Sequence, residues 1–477
     1  MELYITEFSK YFIALFIMLY TYECFAVFRY QDETRRNGIY TRQNLLMFLM
    51  HFTCFLAICF QTGEINYLFF YAFQQIILFA VIVLFRLLYP KTNRLLVNNM
   101  CTLLSISFII LTRLSFNKAI RQFIIVAVSM TAALIIPFFV HKFRFLKNLK
   151  WIYAIVGIGA LGVVLILGQT TYGSKISYSI AGVTFQPSEF VKILFVFFVA
   201  SALYKASGFF EVFTTAVVAG IHVIILVCSK DLGSALIYFV VYVFMVFVAT
   251  RNFLYVIVGA VGGSAAAIVA YQVFSHVQVR VQAWKDPWSV IDSAGYQITQ
   301  SLFAISSGGW FGLGLFQGTP DSIPFVEADF IFSAIAEELG IVFSVCLILI
   351  CVSSFIMFMR IAAQLHDKCY QLVAFGLGVT YIFQVFLTIG GGTKFIPLTG
   401  VTLPLISYGG TSVLTTLIMF SIIEGLYIMK QEEAEELAKR KKKKSIKKRK
   451  PTPVVENEDF EAFYEEDEYE EENEEDD

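Results

Sequence analysis

The sequence predicts an all-α, polytopic membrane protein, a bundle of about thirteen transmembrane helices. Apolar residues make up 57% of the 477 residues and charged residues only 15%, whereas soluble domains carry about 25% charged residues. The apolar residues fall in continuous stretches that reach the roughly 20 residues needed to cross a bilayer. These stretches are apolar on every side, whereas a spanning β-barrel would show alternation in segments about half as long.

The predicted helices follow one another closely, with one long connection. The first stretch is long and lacks a small-residue cleavage site, so we interpret it as a span and not as a signal peptide. In chain order the predicted spans cover residues 8–28, 44–62, 66–89, 101–116, 119–140, 151–169, 188–206, 211–228, 232–249, 252–274, 329–358, 370–391 and 405–429.

Lysine and arginine residues predict the orientation of the bundle. They are concentrated in four loops, 29–43, 86–99, 141–150 and 359–369, and in the run 439–450. With thirteen spans all of these segments fall on one side, which the positive-inside rule assigns to the cytoplasm. We therefore expect the N-terminus outside and the C-terminus inside.

One short loop disagrees with this orientation, because Arg113, Lys118 and Arg121 would lie outside. Ion pairing, snorkelling to the interface or a re-entrant fourth helix would each explain these cations, and the sequence leaves the three explanations open.

The long connection, residues 275–328, falls on the outer side. Loops of this length in compact proteins usually serve a purpose. Residues 295–305 (GYQITQSLFAI) are predicted to form a partly apolar helix at the interface. We expect the loop to fold back over the outer mouth of the bundle.

The C-terminal tail, residues 431–477, is predicted to be disordered, because a basic block is followed by an acidic one and like charges repel. A basic run just inside a membrane helix typically attracts anionic lipid. Its attachment to the membrane argues against nucleic-acid binding. The eight Cys include no CxxC pair and the five His are scattered, so no resident metal site is predicted.

Polar residues interrupt the apolar stretches in four places, where a charge at the bilayer centre costs roughly 2.5–3.5 kcal/mol. Glu189 and Lys192 are three residues apart and can neutralise each other on one helix face. Either a structural ion pair or the polar wall of a substrate cavity would explain them. Asp231 lies in a second cluster, KDLGS, whose Gly and Ser allow close helix approach.

The third cluster is acidic, and in the fourth the helix is expected to be broken. Residues 327–338 place four carboxylates at the outer entrance of a span, and residues 399–412 are dense in Pro, Gly and Ser. Broken helix at membrane depth is tolerated where it is buried in protein or lines a wet cavity. The four clusters together suit a lipid-anchored polar substrate, and by themselves fit an enzyme or a transporter equally.

The same clusters resemble, in order, the signature segments of the SEDS family of RodA- and FtsW-like proteins. The matching segments are QPSEFVK, KDLGSA, AGYQ followed by QSLFAISSGGWFGLGL, EADFIFSAIAEELG and PLTGVTLPLISYGGTS. The resemblance covers roughly residues 100–430, and family members typically have ten spans. Residues 1–99 would then add three helices before a ten-helix core at 100–430.

The resemblance implies a peptidoglycan glycosyltransferase in the bacterial cytoplasmic membrane. Such a protein polymerises lipid II at the outer face and works with a class B penicillin-binding protein in elongation, division or sporulation. The chemistry needs a base for an acceptor hydroxyl, and it needs Arg280 or a divalent cation (Mg or Mn) for the departing pyrophosphate. The substrate-binding residues expected from the clusters and the resemblance are Glu189, Lys192, Asp231, Arg280, Gln297, Glu327, Asp329 and Ser407.

One position departs from the family pattern. The resemblance implies Asp-Pro-Trp-x-Asp followed by Gly-Tyr-Gln, with the second Asp essential, and this chain has Val290 in its place. Asp292 is the nearest substitute as the base and Asp286 the next, although Asp292 could instead cap the helix that begins near Gly295. A flippase and a non-catalytic scaffold for the penicillin-binding protein are the alternatives, and no internal repeat typical of carriers is evident.

Overall fold

The computed structural model describes residues 2–142, 144–171, 174–180, 183–205 and 208–448. Fifteen α-helices occur in this part of the chain. They are α1 (Glu2–Arg29), α2 (Glu33–Thr62), α3 (Ile65–Leu88), α4 (Arg94–Leu114), α5 (Phe116–Lys142), α6 (Lys150–Leu167), α7 (Pro187–Leu203), α8 (Phe209–Cys228), α9 (Leu232–Thr250), α10 (Leu254–Val273), α11 (Ser275–Lys285), α12 (Tyr296–Ser307), α13 (Ile331–Gln364), α14 (Lys368–Gly392) and α15 (Gly410–Lys448).

The predicted membrane bundle is confirmed. Each of the thirteen predicted spans corresponds to one long helix, and α11 and α12 are the two additional short helices. Twelve helices in the described residues are long and apolar enough to cross a membrane. The thirteenth, α7, is shorter, with 17 residues. It begins at Pro187, whose fixed φ suits a first helical turn.

The outer loop is largely helical. The predicted interface helix is present as α12, and α11 precedes it as a helix that the sequence did not predict. A second unpredicted feature lies between α6 and α7, where β1 (Gln169–Thr171), β2 (Ser174–Ile180) and β3 (Val183–Phe185) form an antiparallel sheet in the order β1-β2-β3.

Helix α13 is broken at Gly340, where φ is +85°. The loop after α12 fills the break: the amide of Ile341 donates to Gly309 O at 3.0 Å and the amide of Leu313 donates to Glu337 O at 2.9 Å. A Cβ on Gly340 would lie 2.3 Å from Gly312 N. Glycine is therefore required at this close approach, and the loop supplies hydrogen bonds that a broken helix loses.

The N-terminal helices α1–α3 are packed onto the core, and Met1–Gln431 form one compact unit. Other helices enclose α4 so completely that every residue of its apolar, membrane-crossing stretch is buried. Asn99 on α4 accepts a hydrogen bond from Tyr20 Oη at 3.0 Å and donates to Ser353 Oγ at 2.8 Å and Ser354 Oγ at 3.0 Å. The predicted boundary at residue 99 falls inside α4, which begins at Arg94.

The C-terminal tail is helical at its start. Helix α15 continues to Lys448, past residue 431, at which the predicted disordered tail begins. The acidic block at 456–477 lies outside the described residues. The described residues from Glu432 to Lys448 belong to a second unit.

Candidate functional site

A cavity of about 530 Å³ lies beneath the outer loop. Its walls come from α11, α12, the turn before α13 and the segment between α14 and α15, residues 393–409, which we call the irregular segment. The charged and polar side chains that line it are Arg280, Gln297 and Asp329. Apolar lining residues include Trp284, Ile298 and Phe325, so the cavity joins a few polar groups to apolar walls, as ligand sites typically do.

Arg280 and Asp329 form the charged centre of this cavity. Arg280 Nη1 donates to Leu398 O at 3.2 Å, which fixes the guanidinium against the irregular segment. Arg280 Nη2 and Asp329 Oδ2 each lie 3.8 Å from the position that a Cβ on Gly400 would occupy. Gly400 has φ of +71°, so a residue without a side chain is suited both to this turn and to the space between the two charges.

The electrostatics of the cavity favour a carboxyl group that titrates near neutrality. Burial raises the pKa of Asp329 to about 6, although Arg280 opposes the shift and Glu327 adds to it. Burial also lowers the pKa of Arg280, against the attraction of Asp329 and Asp231. A carboxyl group with such a pKa is ionised at neutral pH and remains able to exchange a proton.

Glu189 and Lys192 form an ion pair, and Lys192 also donates a hydrogen bond to Gln384 on α14. Lys192 Nζ lies 2.7 Å from Glu189 Oε2 and donates to Gln384 Oε1 at 2.7 Å. Gln384 Nε2 in turn donates to Thr402 O at 3.1 Å. Both charged residues are buried, at 7% and 3% exposure. The pair therefore connects α7 and α14 to the irregular segment and does not line the outer cavity.

Asp231 lies at the start of α9, where its Oδ1 accepts a hydrogen bond from the amide of Ser234 at 3.1 Å. Its Oδ2 accepts one from Ser188 Oγ at 2.9 Å. A Cβ on Gly233 would lie 2.6 Å from Val401 Cγ2, so the irregular segment approaches this helix end closely. The other polar clusters of the sequence thus meet at residues 399–412.

Glu327 and Ser407 hold backbone segments together. Glu327 pairs with Lys118, and its backbone oxygen accepts a hydrogen bond from the amide of Tyr408 at 2.7 Å. Ser407 Oγ donates to Ala328 O and accepts from the amide of Leu403 at 2.9 Å. Neither side chain is among those that line the outer cavity, and Ser407 is only 1% exposed.

The two residues predicted as the catalytic base, Asp286 and Asp292, are exposed and are not among the lining residues. Asp286 Oδ1 accepts from the amide of Ser289 at 3.4 Å. The alternative that Asp292 caps α12 is wrong, because Gly295 stands at the N-cap without a side-chain hydrogen bond. Val290 is half-buried in the same turn, where its carbonyl accepts from the amide of Gly295 at 2.8 Å.

Arg113 forms ion pairs, one of the three explanations that the sequence left open for the cations of this loop. Its Nε donates to Glu338 Oε1 at 2.7 Å, its Nη1 to Asp321 Oδ2 at 3.2 Å and its Nη2 to Gly318 O at 3.2 Å. Together with the pair of Lys118, these bonds explain two of the three cations that disagreed with the predicted orientation. The carboxylates of residues 327–338, predicted on the same side of the membrane as these cations, were the signal that could have found the pairs with Glu338 and Glu327.

Comparison with known proteins gives the family. A family model described as "Cell cycle protein", FtsW/RodA/SpoVE, matches residues 86–432. The chain is 34% identical over 331 residues to the peptidoglycan glycosyltransferase RodA of Mycobacterium bovis, covering 64% of this chain and 69% of the relative. It is 30% identical over 345 residues to the probable peptidoglycan glycosyltransferase FtsW of Aliivibrio salmonicida, covering 69% of this chain and 85% of the relative.

Solved structures share the fold. A chain of a peptidoglycan synthase complex aligns with a TM-score of 0.61 and 23% identity over 70% of this chain and 97% of its own length. The rod shape determining protein RodA of Thermus thermophilus aligns with a TM-score of 0.53 and 22% identity over 70% of this chain and 96% of its own length. Because the family model covers well over half of the sequence, this chain belongs to the FtsW/RodA/SpoVE family of cell cycle proteins.

Proposed function

We propose that this chain is a peptidoglycan glycosyltransferase that polymerises lipid II into glycan strands at the outer face of the bacterial cytoplasmic membrane. The observation that carries the proposal is the outer cavity, in which Arg280 and Asp329 face a space of about 530 Å³. The RodA and FtsW relatives carry the same activity in their names. Apolar walls with one carboxylate and one guanidinium suit a sugar pyrophosphate on a lipid anchor.

The orientation follows from the helices and the charges. Thirteen spans put the termini on opposite sides, and the basic loops belong in the cytoplasm. The N-terminus is then outside, the C-terminus inside and the cavity on the outer side. Single cysteines at Ser289 and Lys439 should react with an impermeant reagent from opposite sides of the membrane, and labelling of both from outside would contradict this orientation.

The reaction assigned to the cavity is a displacement at an anomeric carbon. Asp329 takes the proton of the acceptor sugar hydroxyl while that oxygen forms a bond to the anomeric carbon of the donor. The bond from this carbon to the undecaprenyl pyrophosphate breaks, and the leaving oxygen keeps the electron pair. Arg280 is positioned to stabilise the negative charge that develops there. A positioned base of this kind contributes typically 10²- to 10⁴-fold.

A divalent cation was an alternative to Arg280 in this reaction. The described residues contain no group of three or more His, Cys, Asp or Glu that could hold a metal ion, and the cavity brings one carboxylate next to a guanidinium. These residues do not form an all-protein site for Mg or Mn, whereas Mg²⁺ usually binds one or two carboxylates together with substrate phosphates. We assign charge stabilisation to Arg280, and the divalent cation stays a prediction.

We propose a class B penicillin-binding protein as the partner and membrane lipid as the surroundings. The solved chain with the same fold comes from a peptidoglycan synthase complex that coordinates polymerization and crosslinking. A transpeptidase placed above the outer loop would receive the strands as they form.

The experiment is reconstitution of the purified protein in liposomes with lipid II. Strand synthesis supports the proposal, and movement of lipid II without polymer indicates a flippase. A protein that shows neither synthesis nor movement of lipid II is a scaffold. Asp329→Asn and Asp292→Asn separate the two candidate bases, because Asn keeps the size of the side chain and removes its basicity. Loss of synthesis only in Asp292→Asn would reassign the base to the exposed turn.

A non-catalytic scaffold is the second candidate, and Val290 is the observation that favours it. A valine side chain cannot transfer a proton, and the family pattern implies an aspartate at this position. If the wild type makes no polymer and Val290→Asp does, the chain retains the fold without the chemistry.

A further inference from the structure

A second cavity, of about 420 Å³, lies at the end of the bundle opposite to the outer loop. It is formed where α1 ends, α2 begins, α13 ends and α15 leaves the bundle. We call it the inner basic pocket and define it by Phe28, Arg36, Arg360, Gln364 and Lys430. The basic loops surround this end, so the positive-inside rule assigns it to the cytoplasmic surface.

The lining of the pocket is positively charged, and the acidic residues Glu33 and Glu424 lie near its Tyr427 without forming part of the lining. Arg36, Arg360 and Lys430 all line it, and its lining residues in the described part of the chain include no Asp or Glu. Glu424 lies behind the wall, where its Oε2 accepts hydrogen bonds from Thr92 Oγ1 at 2.6 Å and from the amide of Asn93 at 2.8 Å. Three cations around one small space repel each other, and an anion in that space removes the repulsion.

Neutral groups hold the cations in place. Arg36 Nη2 donates to Tyr40 Oη at 2.9 Å, whereas its Nε is buried and meets no hydrogen-bond acceptor among the described residues. Arg360 lies over the ring of Phe28 at 4.6 Å from the centroid. Lys430 donates to Gln364 Oε1. These contacts orient the cations and leave their charge available, as in sites that bind phosphate.

The position of the pocket favours a lipid as the source of the anion. It lies between the ends of α1 and α13, two membrane-spanning helices. Phe28 is a partly exposed apolar side chain of the lining, whereas Val27, Met357 and Ile361 are buried. A headgroup phosphate on the cations would leave its acyl chains beside Phe28 and the ends of these helices, whereas a free phosphate ion uses the cations alone.

We propose that the inner basic pocket binds the phosphate group of an anionic phospholipid. The extra N-terminal helices then have a function, since they supply Phe28 and Arg36 while the core supplies Arg360 and Lys430. The bound lipid connects the two parts at the cytoplasmic surface. This inference does not depend on the activity of the outer cavity.

The test measures thermal unfolding of the full-length protein in nanodiscs of phosphatidylcholine with increasing phosphatidylglycerol. We expect the unfolding midpoint to rise with phosphatidylglycerol and saturate. In Arg36→Gln/Arg360→Gln, half-saturation should need about tenfold more phosphatidylglycerol or be lost, because each cation near an anionic surface contributes about a few-fold in affinity. Lys142→Gln is the matched control, since Lys142 also lies over an aromatic ring, Phe138, outside the pocket.

Three outcomes would overturn the proposal. The first is an unfolding midpoint that does not depend on phosphatidylglycerol, and the second is an equal loss in Lys142→Gln, which would indicate general surface charge. Inorganic phosphate is titrated in pure phosphatidylcholine nanodiscs as the last arm. If it reproduces the full shift, the pocket binds phosphate but the lipid source is refuted, whereas a shift with phosphatidylglycerol alone supports the lipid.

Discussion

Replacement of Asp329 by Asn should remove both the rate and the pH dependence of glycan synthesis. The pKa of Asp329 is raised to about 6, so its ionised fraction rises from about one tenth at pH 5 to about nine tenths at pH 7. A base must be ionised to accept a proton, and the wild-type rate should therefore increase about tenfold over this range. Since Asn accepts no proton at either pH, the rate of Asp329→Asn should be about 10²- to 10⁴-fold lower and should not show this increase.

The assay is initial-rate polymerisation of lipid II by purified protein in liposomes between pH 5 and 8. Asp321→Asn is the control, because Asp321 is an exposed carboxylate of the same outer loop that pairs with Arg113. This variant should keep the pH profile of the wild type. Thermal unfolding of each variant distinguishes lost chemistry from lost folding.

Three results would refute the reasoning about Asp329. A wild-type rate that is constant between pH 5 and 7 would exclude a base with this pKa. If the rate of Asp329→Asn still rises between pH 5 and 7, another group is responsible for the pH dependence. If this rise is lost in Asp292→Asn, that group is Asp292. Absence of polymer from the wild type would leave the cavity without a reaction.

Three further substitutions test the packing. Asn99→Leu removes three hydrogen bonds, one to α1 and two to α13, at about 0.6 kcal/mol each and should lower the free energy of unfolding in detergent by about 2 kcal/mol; no change would show that the bonds are replaced. Gly340→Ala should lower the unfolding midpoint by several degrees, because its φ is positive and its Cβ would meet backbone, whereas Gly262→Ala, with open space around it, should not. Arg113→Met leaves Glu338 buried without its partner and should cost about 3–5 kcal/mol, of which Arg113→Met/Glu338→Gln should regain a part; equal losses in both variants would contradict this account.

The spans could be predicted from the sequence because the bilayer imposes a length and an apolar composition that are visible locally. The break in α13 could not, because the Gly340 turn depends on a loop about 30 residues earlier whose backbone fills it. Of the strands between α6 and α7, β1 and β3 have three residues each, below the length at which alternation is visible. The seven residues of β2 do alternate, with Ile176, Tyr178 and Ile180 as the apolar positions, and this signal could have predicted the strand.

The polar clusters of the candidate site could be predicted from the sequence, whereas the role of each side chain could not. The cost of charge in lipid correctly indicated that Glu189, Lys192 and Asp231 need partners, and the structure brings their clusters to the irregular segment. Which side chains face the cavity depends on rotations and turns that residue spacing does not determine. Ser407 is therefore directed into backbone, whereas Arg280 and Asp329 reach open space.

The hydrogen bonds of Asn99 have a consequence for the order in which the chain is made. Its partner Tyr20 precedes it by 79 residues, whereas Ser353 and Ser354 follow it by 254 and 255. At about 5–20 residues per second, a ribosome needs roughly ten seconds to a minute to produce those two serines. During that interval α4 is already in the bilayer with a polar amide, and the N-terminal helices are its available partners. The extension thus protects the first core helix while the ribosome is still producing the helices that complete its packing.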